Sequence, residues 1–198
     1  MMATGLLGSV VMLGLRARII HAEGLNGAGW FDAAWAISMR HVTLVLSSLQ
    51  TYYLPLLAGA RDREERSGQI ARVLMVSTLV MAPLVIALQL ANPRVLTLLY
   101  ADSFRPAKGL LRWTLVGDYL KVTSWVLAMP MLAVADMKMF LATDLTAQAV
   151  FVGSSLVLSA MLKPSEGTAI AFVICYAVNL AICYGYSWRQ HSFRPTSD

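Results

Sequence analysis

Downstream of Trp30 the chain alternates long apolar runs with short polar breaks, and the run lengths predict helices that cross a bilayer. Val73–Ala91, with Pro83 in its middle, is the cleanest. It is apolar over about the 20 residues that a hydrocarbon core of roughly 30 Å demands. Trp30–Ala58 reads as one long helix, charge-free from Val42 and carrying Pro55 in its last turns, while Gly109–Ala135, Met139–Leu162 and Thr168–Ser187 supply three more. Upstream, Met1–Leu15 is apolar but short and runs into Arg16 and Arg18. No basic segment precedes it, as a signal peptide would require; extended to Ile20 it is either a helix whose two arginines reach the interface or a cavity or, the favoured reading, the stump of a longer helix. The expected fold is all-α: a polytopic membrane bundle of about six transmembrane helices over residues 1–187, followed by a polar cytoplasmic tail over 188–198.

The breaks have their own chemistry. His21–Gly29 holds Gly24, Asn26, Gly27 and Gly29 and predicts a turn-rich connection. Asn92–Lys108, with Pro93 and Pro106, predicts a loop with a short amphipathic turn around Val95–Tyr100. Asp136–Lys138 is too short for anything but antiparallel neighbours, and Lys163–Gly167 reads as a tight polar turn. Trp30 and Trp35 suit an interfacial aromatic belt. Basic residues divide evenly between the two sides. Arg61, Arg63, Arg66, Arg72, Lys138, Arg189 and Arg194 fall on one, and Arg16, Arg18, Arg94, Arg105, Lys108, Arg112 and Lys163 on the other. The dense Arg61–Arg72 segment breaks the tie and puts both termini in the cytoplasm of a bacterial inner membrane.

Composition removes the competing classes. Of 198 residues 58% are hydrophobic and 14% charged, against about 25% charged in soluble domains. The net charge of +5 does not point to nucleic acid. Its densest cluster, Arg61–Arg72, is interleaved with Asp62, Glu64 and Glu65 as in a solvated loop. Cys175 and Cys183 would lie roughly 12 Å apart along one helix, too far for a disulfide, and no cluster completes a metal site. There is no glycine-rich phosphate loop and no serine nucleophile elbow. The chain therefore reads as neither an enzyme nor an ATP-driven pump, with no cofactor; an ion gradient or the membrane potential would drive any transport.

Polar residues inside the spans carry the functional signal. Arg40, Thr43, Ser47 and Gln50 recur in steps of three and four on one helix face, with Asp32 and Ala36 extending the line and His41, Ser48 and Tyr52 beside it. An arginine at the bilayer centre costs roughly 2.5–3.5 kcal/mol. The stripe should therefore face other helices or a wet cavity, unless Arg40 sits at headgroup level and snorkels. For Thr43, Ser47 and Gln50, interhelical hydrogen bonding competes with ligand contact. The next-to-last span repeats the pattern with Asp144, Gln148, Ser155 and Ser159. Asp144, about one turn from its start, reads as a carboxylate favoured by the helix dipole. Asp118 and Lys121 are three apart and predict a mutual pair. Arg40, Thr43, Ser47, Gln50 and Lys121 are thus the candidate cavity residues, and His41, Asp118 and Asp144 the candidates for coupling or structural ion pairs.

Several stretches resemble a known family. They are Ala28-Gly29-Trp30, then Ala33-Ala34-Trp35 and Ser38, then Tyr53-Leu54-Pro55. A second block is Leu99-Tyr100-Ala101-Asp102-Ser103-Phe104-Arg105-Pro106-Ala107, followed by Leu110-Leu111 and Gly117-Asp118. Together they resemble the Wzx-type O-antigen and polysaccharide flippases of the multidrug/oligosaccharidyl-lipid/polysaccharide superfamily. The resemblance implies the second of two six-helix lobes around a central cavity, with its first helix shortened, in a family whose full members are about twice this length. It implies flipping of undecaprenyl-pyrophosphate-linked oligosaccharide from the cytoplasmic to the periplasmic leaflet, with Arg40 and Lys121 meeting pyrophosphate or acidic sugars. The implied partners are that lipid-linked oligosaccharide, membrane lipids, a first-lobe chain or second copy, and a polysaccharide polymerase or glycosyltransferases. Two other classes stay open: a multidrug or cation antiporter of the same superfamily, relying on Asp118 and Asp144, and a non-transporting scaffold of a polysaccharide-assembly complex.

Overall fold

In hydrocarbon every backbone N–H and C=O must find its partner within the segment, which leaves the helix as the natural form of these apolar runs. The computed structural model of the chain describes residues 2–60 and 62–192. Their order is α1 (Met2–Ala58), α2 (Arg63–Leu99), a 3-10 turn at Asp102–Phe104, α3 (Ala107–Ala133), α4 (Met137–Met161) and α5 (Pro164–Ser192). Arg61 and residues 193–198 lie outside the described residues, and the tail expected from Trp188 is corrected in its first part, where α5 continues to Ser192. The fold is an all-helical membrane bundle. Three of its helices are long and apolar enough to cross a membrane: Glu64–Asn92, Met137–Met161 and Pro164–Trp188.

The 57 residues of α1 would reach about 85 Å if straight. They do not run straight, because Gly24 takes φ 71 and ψ −174 inside the helix, a left-handed φ that glycine alone adopts freely. Arg16 and Asp32, each eight positions from Gly24, meet at 2.6 Å, whereas a continuous helix would hold them about 24 Å apart. The chain therefore folds back at this residue into two packed segments, 2–23 and 25–58. Counting both, the bundle has the six helical pieces expected. The predicted glycine-rich loop is corrected to a single residue, with helix resuming through Asn26, Gly27 and Gly29. Gly27 is small for packing: a Cβ there would collide with Glu23. Glu23 in turn clasps the start of α5, where the Ser165 N–H donates to its Oε1 at 2.7 Å and the Ser165 hydroxyl to its Oε2 at 2.8 Å.

At the opposite end, Asp62 caps α2 by accepting from the Glu65 N–H at 2.8 Å, with Glu64 and Glu65 in the first turn. The expected loop from Asn92 is also corrected: α2 continues to Leu99. Its extra turns are worth keeping because Leu96 is fully buried among Phe31, Ala34 and Leu111. Asp136 caps α4 by accepting from the Met139 N–H at 3.1 Å, and Tyr186 donates to its other oxygen at 3.0 Å. The carboxylate that exploits the α4 dipole is thus Asp136, while Asp144 lies about two turns inside the helix.

Helix α3 is the axis. It packs against α1, α2, α4 and α5 and buries Thr114, Asp118 and Ser124 along with its apolar residues. Trp35 packs against the bundle: it stacks on Phe31 with centroids 5.6 Å apart and meets the Phe172 edge at 4.9 Å. Trp30 donates to the Ser103 carbonyl at 2.9 Å.

Helices α4 and α5 approach closely through Gly167, whose added Cβ would stand 2.9 Å from the Ser159 nitrogen and 3.0 Å from the Leu158 carbonyl carbon. The Ser155 and Thr168 hydroxyls join the same contact at 3.0 Å. Backbone cannot swing aside as a side chain can. Gly167→Val should therefore destabilise the purified protein by about 1–3 kcal/mol, read as a lower unfolding temperature in detergent. An unchanged transition would mean that the two helices part without cost. Both cysteines are free and buried, as their apolar spacing predicts.

Candidate functional site

Folding back at Gly24 leaves a gap between the 2–23 segment and the helices behind it. A cavity of about 520 Å³ opens there, lined by residues of both α1 segments, α3, α4 and α5. Its polar wall is Arg16, Lys121, Asp144, Gln148 and Asn179, and Trp35, Phe172 and Tyr176 are among its aromatic residues. Lys121 projects from α3, with Nζ 5.5 Å from the Tyr176 ring centre and 5.8 Å from that of Phe172. Aromatic faces attract a cation without neutralising it. The Met39 sulfur lies 4.0 Å from the same nitrogen. Arg16 is half-exposed and held by Asp32.

The predicted Asp118–Lys121 pair is replaced by another. Asp118, fully buried, accepts from the Ser38 hydroxyl at 2.8 Å and lies 3.2 Å from His41 Nε2. His41 Nδ1 lies 3.0 Å from the Ile37 carbonyl. A carbonyl only accepts, so Nδ1 carries its hydrogen. Nε2 is then bare unless the ring is protonated, and it makes no hydrogen bond with the Asp118 Oδ2 that faces it. Protonation of the ring would join the two across the middle of the bundle. Asp118 and Lys121 are less than one helical turn apart, but their side chains serve different neighbours: α1 for the carboxylate, α5 for the ammonium.

The structure divides the sequence-predicted residues into two sets. Lys121 and Asp144 meet in the cavity, and His41 and Asp118 lie just behind it. Arg40, Thr43, Ser47 and Gln50 lie together on an exposed face of the 25–58 segment, where the Ser47 hydroxyl donates to the Leu44 carbonyl at 3.0 Å. Asn179 and Tyr176 went unnoticed in the sequence; a lone amide one turn after a tyrosine in an apolar helix was the available signal. Nothing in the spacing singles out Arg16, because only the fold-back brings it to the site.

A cation among aromatic rings, a carboxylate and two amides suit a ligand with both phosphate and sugar character. The chain is similar to lipid III flippases. It is 22% identical over 169 residues to that of Escherichia coli (strain K12), and equally to that of Shigella flexneri, covering 83% of this chain and 40% of each relative. It therefore spans about two fifths of the length of these relatives. No protein-family model matches the chain, and no solved structure does.

Proposed function

We propose that this bundle is one lobe of a flippase that moves undecaprenyl-pyrophosphate-linked oligosaccharide across the bacterial inner membrane, from the cytoplasmic to the periplasmic leaflet. The cargo would serve O-antigen or another surface polysaccharide. The observation that carries the reading is the cavity in which Lys121 stands over Phe172 and Tyr176 beside Gln148 and Asn179. An ammonium takes pyrophosphate, amides take sugar hydroxyls, and aromatic faces take the apolar face of a sugar ring. The Arg40, Thr43, Ser47 and Gln50 face, too polar for lipid tails, is the surface turned to a first-lobe chain or a second copy, with the substrate path between. Both termini are assigned to the cytoplasm, and polymerase or glycosyltransferase partners fit the same role.

The test is transfer of fluorescent undecaprenyl-pyrophosphate oligosaccharide in proteoliposomes, read by quenching from outside, with the chain alone and with a first-lobe chain. Transfer under either condition supports the reading; its absence under both overturns it. A second reading, cation antiport, is favoured by the buried pair that His41 and Asp118 form 3.2 Å apart. It predicts dye efflux driven by a proton gradient with no movement of the lipid.

In the flippase reading, Arg40→Ala should abolish surface-polysaccharide complementation in a strain lacking its own flippase, with membrane levels of the protein unchanged. Normal complementation by that variant would remove Arg40 from the mechanism.

A further inference from the structure

A second pocket lies away from the cavity, where the last turns of α2 meet the first turns of α3. About 360 Å³ in volume, it is lined by Gln89, Asn92, Lys108, Gly109 and Arg112. Gln89 Nε2 donates to the Arg112 carbonyl at 2.9 Å, and Asn92 Nδ2 donates to the Lys108 carbonyl at 3.0 Å. The second bond fixes the orientation of the Asn92 amide, because a carbonyl requires the NH₂ group. Asn92 is only 1% exposed, yet its Oδ1 has no hydrogen-bond partner. An orphaned acceptor at that depth costs about 1–3 kcal/mol unless something donates to it. Lys108 and Arg112 are exposed cations, and none of the five lining residues is acidic. The first turn of α3 has no side-chain cap, so the positive end of the helix dipole adds to the field, although the Lys108 N–H itself is bonded to the Arg105 carbonyl at 3.1 Å. Gly109 leaves the floor open, with nothing within 4 Å of where a Cβ would stand.

These features demand a ligand with a negative phosphate and a hydrogen-bond donor on the same small group. Their neighbours in sequence, Leu90 and Trp113, expose apolar surface at 79% and 37%, which suits acyl chains alongside. We propose that this pocket binds the headgroup of an anionic phospholipid, its phosphate between Lys108 and Arg112 and its glycerol hydroxyl donating to Asn92 Oδ1. Phosphatidylglycerol meets all three conditions. Phosphatidylethanolamine also has a donor, but it brings a positive charge to a pocket that already holds two. The site takes a resident membrane lipid and does not depend on the flippase reading.

The test is native mass spectrometry of the full chain in equimolar phosphatidylglycerol and phosphatidylethanolamine, with unfolding temperature as a second measurement. The wild type should retain phosphatidylglycerol over phosphatidylethanolamine by about tenfold, as one or two charge-assisted contacts provide, and phosphatidylglycerol should raise its unfolding temperature. The Lys108→Ala/Arg112→Ala variant should lose the preference. Gly109→Leu, which fills the pocket without changing charge, should lose phosphatidylglycerol binding. Equal retention of the two lipids by the wild type overturns the proposal, as does retention of phosphatidylglycerol by both variants. Inorganic phosphate that stabilises the wild type as strongly as the lipid would assign the pocket to a free anion and overturn it too.

Discussion

Replacing Lys121 with Met is expected to slow transfer of the pyrophosphate-linked cargo by one to two orders of magnitude while leaving the bundle folded. The ammonium lies among Met39, Phe172 and Tyr176 with no carboxylate in direct contact. A charge in that position is expensive, and a thioether side chain of similar length removes the expense without opening a hole. Stability should hold or rise. Transfer should fall, because a charge-assisted contact to phosphate contributes about 1.5–3 kcal/mol, a factor of roughly ten to a hundred. Flipping rate and unfolding temperature, measured on the same preparation, separate the two effects. A variant that transfers cargo at the wild-type rate would take Lys121 out of the substrate path, whatever its stability.

The second large effect is at Asp118. Asp118→Ala leaves Ser38 and His41 facing an empty, buried position and should cost about 3–5 kcal/mol, as removal of one member of a buried pair does. The accompanying variant is Asp118→Asn, which keeps an acceptor for the Ser38 hydroxyl and nearly the same volume. It should stay close to wild type in stability, but a neutral amide in place of the carboxylate no longer favours a second proton on the His41 ring. If that proton couples transport to a gradient, the Asn variant flips cargo at one rate whether or not a pH difference is imposed across the vesicle, and the wild type does not. Gradient-stimulated transfer by the Asn variant would reduce the dyad to structural glue.

The helices that stand alone were the legible part of this chain. Val73–Ala91 and Met139–Leu162 announce themselves because length and hydropathy suffice, and nothing else has to be known. The fold-back at Gly24 was harder. Gly24, Gly27 and Gly29 look alike in sequence and suggest a loop, since each glycine costs a helix up to about 1 kcal/mol. Only packing shows that one of them makes the turn while Gly27 makes room for Glu23. Side-chain partnership was harder still. Helical spacing places Arg40, Thr43, Ser47 and Gln50 on one face, and they do share one, but spacing says nothing of what that face meets. The Asp118–Lys121 expectation failed for a related reason: a three-residue step permits a contact within the helix, and Ser38 and His41 offered Asp118 a better one from outside it.

The central place of α3 bears on how the protein is made. Helices α2, α4 and α5 have the apolar length to leave the translocon for lipid on their own, whereas α3 carries Lys108, Arg112, Asp118 and Lys121 in 27 residues. Its acid is matched by α1, already synthesised, but the rings that shelter its ammonium belong to α5, which is made after α4. Helix α3 is therefore expected to settle into the bundle only once α5 is made. A chain that stops before α5 would leave the Lys121 ammonium without the Phe172 and Tyr176 rings that shelter it.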